Sequence, residues 1–158
     1  MKIKLITIGS VREKAIASAI ATYSSRIGHY WPFELTDLPD VRLPRGVADA
    51  ARQKDLEGDR FLARIDAADF LVLFDERGRE MTSRQFADFI SRKAVELPRN
   101  LVFLIGGPYG FSPAVYARAN ALLSLSKMTF PHELVRLFAV EQLYRAGTIS
   151  RGEPYHHD

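Results

Sequence analysis

The chain carries little of the side-chain chemistry from which active sites are usually read. It contains no cysteine, which removes thiolate nucleophiles, disulfides and thiolate zinc sites. Its histidines are His29, His132, His156 and His157. None belongs to an H-E-x-x-H helix, and the adjacent pair would diverge in an extended chain, so no metal centre is expected. No G-x-S-x-G elbow is present to support a hydrolase. What remains is a feature of the main chain. Residues 101–116 read LVFLIGGPYGFSPAVY, an apolar run that breaks at Gly106 and Gly107, passes Pro108 and Gly110, and reaches Ser112 and Pro113. Bare glycine backbone allows close approach of a flat ligand such as a purine; an ordinary tight strand-to-helix turn has the same composition. A phosphate cradle is disfavoured, because no G-K-[ST] follows and Pro108 lacks the N–H that a nest would use. The nicotinamide fingerprint G-x-G-x-x-G should follow a first strand, and the first turn here, GSVREK, does not contain it. Asp75, at the end of another apolar run, stands either as an acceptor for ribose hydroxyls or as a solvated strand end.

Such a turn needs a sheet to hold it. KIKLITIG alternates as a first strand, and Ser10 with Glu13 has the spacing of a capping box from which a helix should start. Ile16, Ile20, Tyr23 and Ile27 give that helix an apolar face, with Gly28 placed for a left-handed C-cap. PFELTDL predicts a second strand, and Pro39 to Gly46 a surface loop with basic side chains. Asp49 to Ile65 favours helix, although Gly58 costs roughly 1 kcal/mol of propensity. DFLVLFD is apolar without alternation, as in a parallel strand covered on both faces. Thr82 and Gln85 cap the next helix, with Phe86, Ile90, Ala94 and Leu97 inward. LVFLIGG is the fourth strand; Ser112 and Pro113 then open a helix with Val115, Ala119 and Leu122 inward, and LSLSKMTF is a short strand or loop. Strands alternating with helices predict a mostly parallel α/β sheet flanked by helices. Ligands of such sheets lie beyond the carboxyl ends of the strands, where the glycine turn sits.

With 158 residues, 47% of them hydrophobic, the chain is expected to form a single domain over 1–158. No run of about 18 apolar residues exists, and MKIKLITIGS is short and alternating, so the expectation is a soluble cytoplasmic protein without a membrane partner. The 22 basic and 19 acidic residues leave a net charge of +3, which permits a nucleic-acid partner without demanding one. From Pro131 to Ile149, the apolar residues Leu134, Val135, Leu137, Phe138, Ala139, Val140, Leu143 and Tyr144 spread around most of a helix. Either a second copy of the chain covers its second face, giving a homodimer, or the helix is central to the core. The polar tail 150–158 is expected to be mobile unless a partner holds it.

The segments LIGGPYG, LSLSKMTFPHELVR, EQLYRA and RGEPYHH, in that order, resemble the RlmH family of ribosomal RNA methyltransferases, and the similarity extends over essentially the whole chain. The resemblance implies a SPOUT-type α/β-knot fold with a C-terminal trefoil knot, an arrangement almost absent elsewhere, and a homodimer. It also implies S-adenosylmethionine as methyl donor, held at Phe74, Gly106 and Gly107 and along Leu125, Ser126, Lys127, Met128, Thr129 and Phe130. The implied substrate is a pseudouridine in a stem-loop of 23S ribosomal RNA, methylated at N3 in the assembled ribosome. Transfer would be a direct displacement in which positioning supplies much of the acceleration, and the N3 proton needs a base or a hydroxide-assisted ionisation. By the same resemblance the tail reaches the RNA, with Tyr155 stacking or hydrogen bonding, His156 acting as base or base-positioner, and Arg145 holding phosphate or tail. Two positions depart from the family pattern. Phe74 is larger than the leucine expected there, and His157 followed by Asp158 replaces a lysine or arginine, so that a permanent charge becomes a titratable one. A noncatalytic RNA-binding dimer and another nucleotide-binding enzyme are the competing readings.

Overall fold

The computed structural model describes residues 1–96 and 99–158. In chain order its elements are β1 (Ile3–Ile8), α1 (Lys14–Ile27), β2 (Phe33–Leu38), α2 (Ala50–Leu62), β3 (Phe70–Glu80), α3 (Ser83–Glu96), β4 (Leu101–Ile105), α4 (Pro113–Arg118), β5 (Ala121–Ser124) and α5 (His132–Ser150). The strands form one sheet in the order β2-β1-β4-β3-β5, with every pairing among the described residues parallel. Successive side chains of a strand point to opposite faces, and both faces here are apolar. Ile3, Leu5, Val72, Phe103 and Ile105 pack under α1, α3 and α5. Ile6, Leu71, Leu73, Val102 and Leu104 pack under α2 and α4, against Phe61 and Val115. The unbroken apolar runs of β3 and β4 follow from this two-sided cover.

Several local expectations yield to tertiary contacts. The helix after β1 starts at Lys14 rather than at Ser10, with Glu13 as its N-cap, accepting from the Ala15 N–H at 3.3 Å. The reason is distant in sequence: the Arg12 N–H donates to the Glu133 carboxylate of α5, so this stretch is committed to docking. Gly28 ends α1 in the right-handed region at φ −57°, not left-handed. The Thr82–Gln85 box forms as expected, each side chain accepting from the other's N–H at 2.9 and 3.1 Å. In α3 the buried face is Phe86, Ala87, Phe89 and Ile90; Ala94 is exposed, and Leu97 lies outside the described residues. Ser112 caps α4 through Val115 N–H at 3.3 Å with Pro113 in its first turn, but the helix stops at Arg118, and Leu122 belongs to β5. β3 runs on to Glu80, past Asp75, because its last residues pair with β5 beyond an irregularity between Phe74 and Arg79. Gly78 permits that pairing: a Cβ there would lie 2.6 Å from the Leu122 carbonyl carbon.

From the sheet edge at β5 the chain crosses back to the centre, where α5 lies between α1 and α3. On the way, residues 125–130 are threaded between the glycine turn on one side and Met81–Ser83 on the other. Ala139, Val140, Leu143 and Ala146 of α5 are buried in this packing, while Phe138 stays 37% exposed. Arg136, only 4% exposed, locks the start of α5 to the carboxyl end of β1, donating to Ile8 O at 2.6 Å and Gly9 O at 2.7 Å. Those carbonyls would otherwise be buried without partners.

Candidate functional site

The middle of β3, the carboxyl end of β4, the glycine turn and the threaded segment enclose a cavity of about 640 Å³, within the range of small-molecule sites. Of the residues expected to hold the donor, Phe74, Gly106, Gly107, Leu125, Ser126, Met128, Thr129 and Phe130 line it. Lys127 does not: its amino group points into solvent, 3.5 Å from Glu80. Phe74 is accommodated by stacking on Phe103, centroids 5.4 Å apart at 17°, which carries the ring's bulk against the core rather than across the opening. Ser124 Oγ donates to Ser126 O at 2.9 Å and Ser126 Oγ accepts from Met128 N–H at 3.0 Å, so the serines of the threaded segment fold its turn. Met128 and Tyr109, 74% and 56% exposed, stand at the rim.

The polar wall consists of residues that the sequence does not single out, apart from Asp75. The Asp75 carboxylate accepts from the Arg77 N–H at 2.8 Å, from Arg77 Nε at 3.4 Å and from the Tyr116 hydroxyl, which also meets the Arg77 guanidinium. Burial pushes this carboxyl upward, but the bonds from Tyr116 and Arg77 outweigh it and leave the group below its usual range, ionised. Tyr116 is raised by burial and by Asp75, so the phenol stays protonated. Lys54 and His132 complete the wall. Desolvation and the neighbouring Arg136 hold the His132 imidazole below its ordinary value, neutral at pH 7. Behind the glycine turn lies Glu57, 3% exposed, with Oε1 lacking any partner among the described residues. Burial raises its carboxyl and nearby Asp40 adds to the effect, against a hydrogen bond from Gln53.

This cavity fits an adenosyl donor. Leu125, Met128 and Phe130 offer apolar walls for a purine, the turn offers main chain, and an anion with a phenol donor stands at the polar side.

The expected catalytic residues gather elsewhere. Arg145 donates to Glu141 Oε1 through Nε at 3.0 Å and NH2 at 2.5 Å, and the Tyr155 hydroxyl donates to the same oxygen at 3.0 Å. The Tyr155 ring packs edge-on to Tyr144, centroids 4.7 Å apart, beneath the Arg145 guanidinium. Burial, Tyr23 and Glu141 all raise this phenol far above its ordinary value, which keeps it a donor. His156 Nδ1 lies 3.1 Å from Arg145 NH1, and its Nε2 lies 3.0 Å from Asp158. An arginine can only donate, so Nδ1 accepts and Nε2 carries the proton toward Asp158. Arg84 Nε completes the cluster, 2.7 and 2.9 Å from the Asp158 oxygens. Arg84 and His156 hold that carboxyl at about 2. None of Arg145, Tyr155 and His156 lines the donor cavity; Glu141, which gathers them, borders a neighbouring cleft of about 310 Å³ that shares Leu125, Ser126 and Phe130 with it.

The sequence profile of the family described as "Predicted SPOUT methyltransferase" matches residues 1–156. Over its whole length, and over 100% of each relative, the chain is 48% identical to the ribosomal RNA large subunit methyltransferase H of Porphyromonas gingivalis and 47% identical to that of Parabacteroides distasonis. Its fold is similar to that of a Legionella pneumophila protein solved in complex with the cofactor SAM, with a TM-score of 0.51 at 15% identity, covering 92% of this chain and 66% of that one.

Proposed function

The chain belongs to the SPOUT methyltransferase family, and on that premise we propose that it transfers a methyl group from S-adenosylmethionine to N3 of a pseudouridine in 23S ribosomal RNA of the assembled ribosome. The observation that carries this reading is the cavity itself, built jointly by the glycine turn and the threaded segment beside the middle of β3 and the carboxyl end of β4. Main chain at Gly106 and the side chains of Leu125, Met128 and Phe130 hold the adenosine. Asp75, kept ionised by Tyr116 and Arg77, favours a cationic ligand over a neutral one. When bound, the donor would supply an electrophilic methyl to an in-line nitrogen, with S-adenosylhomocysteine as the leaving group.

What the chain contributes beyond binding is the handling of the N3 proton. Both ring nitrogens of His156 are engaged, by Arg145 and Asp158. With the proton on Nε2, the imidazole can accept another only at Nδ1, so Arg145 must give up Nδ1 before His156 acts as base. RNA phosphate competing for Arg84 and Arg145 supplies the driving force. Because Tyr155, His156 and Arg145 assemble around Glu141 rather than at the donor cavity, they serve the RNA at the site of a second copy, in a homodimer. Phe138, a large apolar side chain of α5 left 37% exposed, supports a partner there.

Methyl transfer from labelled donor to ribosomes lacking the modification, compared with naked RNA, tests the assignment. Label on ribosomes, mapped to pseudouridine N3, is the expected result; its absence from ribosomal RNA excludes it. Donor at a hundred times its Kd should add about 2.7 kcal/mol of stability. Stabilisation by ATP or NAD instead would favour the nucleotide-binding alternative, and none by any of the three would favour a noncatalytic RNA-binding dimer.

A further inference from the structure

Gly106 and Gly107 look equivalent in the sequence, yet their missing side chains would point to different places. A Cβ on Gly106 would meet the Phe111 ring at 3.2 Å and Gly110 O at 3.3 Å, inside the turn. A Cβ on Gly107 would point away from the turn, within 2.8 Å of Glu57 Oε1 and closer still to Oε2. Those distances lie inside van der Waals contact, and the obstacle is a buried carboxyl on α2 that cannot swing into solvent. The same helix packs as closely on the other end of the segment. The next residue, Gly58, lies so close to Ser112 that a Cβ would stand 3.2 Å from Ser112 Cβ and from Val115, and nearer still to Ser112 Oγ. That hydroxyl is itself occupied as the cap of α4. The pair Glu57–Gly58 therefore lies under both ends of the segment from Gly107 to Ser112. Keeping a carboxyl in the core with one oxygen unpaired is unfavourable for stability alone, since an apolar side chain of similar size would avoid the desolvation.

We propose that Glu57 is a positioning residue of the donor site: its carboxyl sets the height of the glycine turn against the cavity, and residue 107 must be glycine because of Glu57, not because of the ligand. The proposal rests on the donor reading above. It separates the two glycines by what each missing side chain would meet: Phe111 within the turn for Gly106, and α2 for Gly107.

The test is a cycle of Gly107→Ala, Glu57→Ala and the double variant, each titrated with S-adenosylmethionine by calorimetry and each melted without ligand. Gly107→Ala should weaken donor binding by about thirtyfold and Glu57→Ala by about threefold, and the double variant should return to about the Glu57→Ala level, because coupled neighbours are strongly non-additive. A double variant as weak as Gly107→Ala overturns the proposal, since the methyl group would then be obstructing the ligand; so does a Gly107→Ala protein that binds normally. Should Gly107→Ala fail to fold, Glu57→Gln against Glu57→Ala decides. The isosteric amide should keep affinity within about twofold while alanine does not, and equal affinity in both overturns the proposal. If the wild-type chain binds no donor, the methyltransferase reading fails and the positioning role falls with it. Recovery of the Gly107→Ala melting temperature by Glu57→Ala would then still establish the contact between the two residues.

Discussion

Asp75 and Tyr116 form the pair on which the polar wall of the cavity depends. Removing the phenol oxygen with Tyr116→Phe leaves a largely enclosed carboxylate with Arg77 as its remaining partner. Stability should fall by roughly 1–3 kcal/mol, measured by urea unfolding, and the Asp75 carboxyl should titrate at higher pH than in the wild type. The tail carries a second pH-dependent contact. Asp158 has its pKa depressed to about 2 by Arg84 and His156. A depressed folded-state value means that the tether is fully present above the unfolded carboxylate range and is lost as pH falls through about 2. Protection of the 155–158 amides, taken relative to their intrinsic exchange rates, should therefore be higher at pH 5 than at pH 2, and Asp158→Asn should remove the difference. Because the pair is solvent-exposed, high salt should have the same effect.

Arg136 shows how a helix is held to a sheet that does not adjoin it in sequence. Arg136→Met keeps the apolar stem but strands the carbonyls of Ile8 and Gly9. We expect a loss of roughly 2–5 kcal/mol in chemical denaturation, together with weaker donor binding because the start of α5 anchors the threaded segment. The same element explains why the capping signal at Ser10 fails: Glu133, one turn before Arg136, takes the Arg12 N–H. The long β3 is a related case. Its residues beyond Asp75 are polar and read as loop, and only their pairing with β5 makes them strand. By contrast, β4 and the first half of β3 were legible as strands from apolar runs buried on both faces, and β1 from its alternation.

For the molecule as a whole, the separation of donor cavity from tail cluster has a direct consequence. Deleting Pro154–Asp158 should leave donor affinity within about twofold in calorimetry, since none of these residues lines the cavity, while abolishing methyl transfer to ribosomes. Loss of both would place the tail in the donor site. Sedimentation should show a dimer, and mixing the tail-deleted chain with one disabled at Gly106 should restore activity if one copy's tail serves the other's cavity.

The order of elements, the two-sided sheet and the position of a ligand turn at a strand's carboxyl end were set by the sequence alone, since periodicity and glycine placement are local properties that any fold of this chain must respect. Phe74, Gly106 and the segment after Ser124 were legible as one site only through family resemblance, because nothing local says that residues so far apart will meet. The path of residues 125–131, the Asp75–Tyr116–Arg77 wall and the carboxyl of Glu57 beneath Gly107 were decided by tertiary structure. Each depends on which elements become neighbours after the chain has crossed its own sheet. A helix such as α2 shows the same amphipathic pattern whether its buried glutamate supports a glycine turn or faces nothing at all.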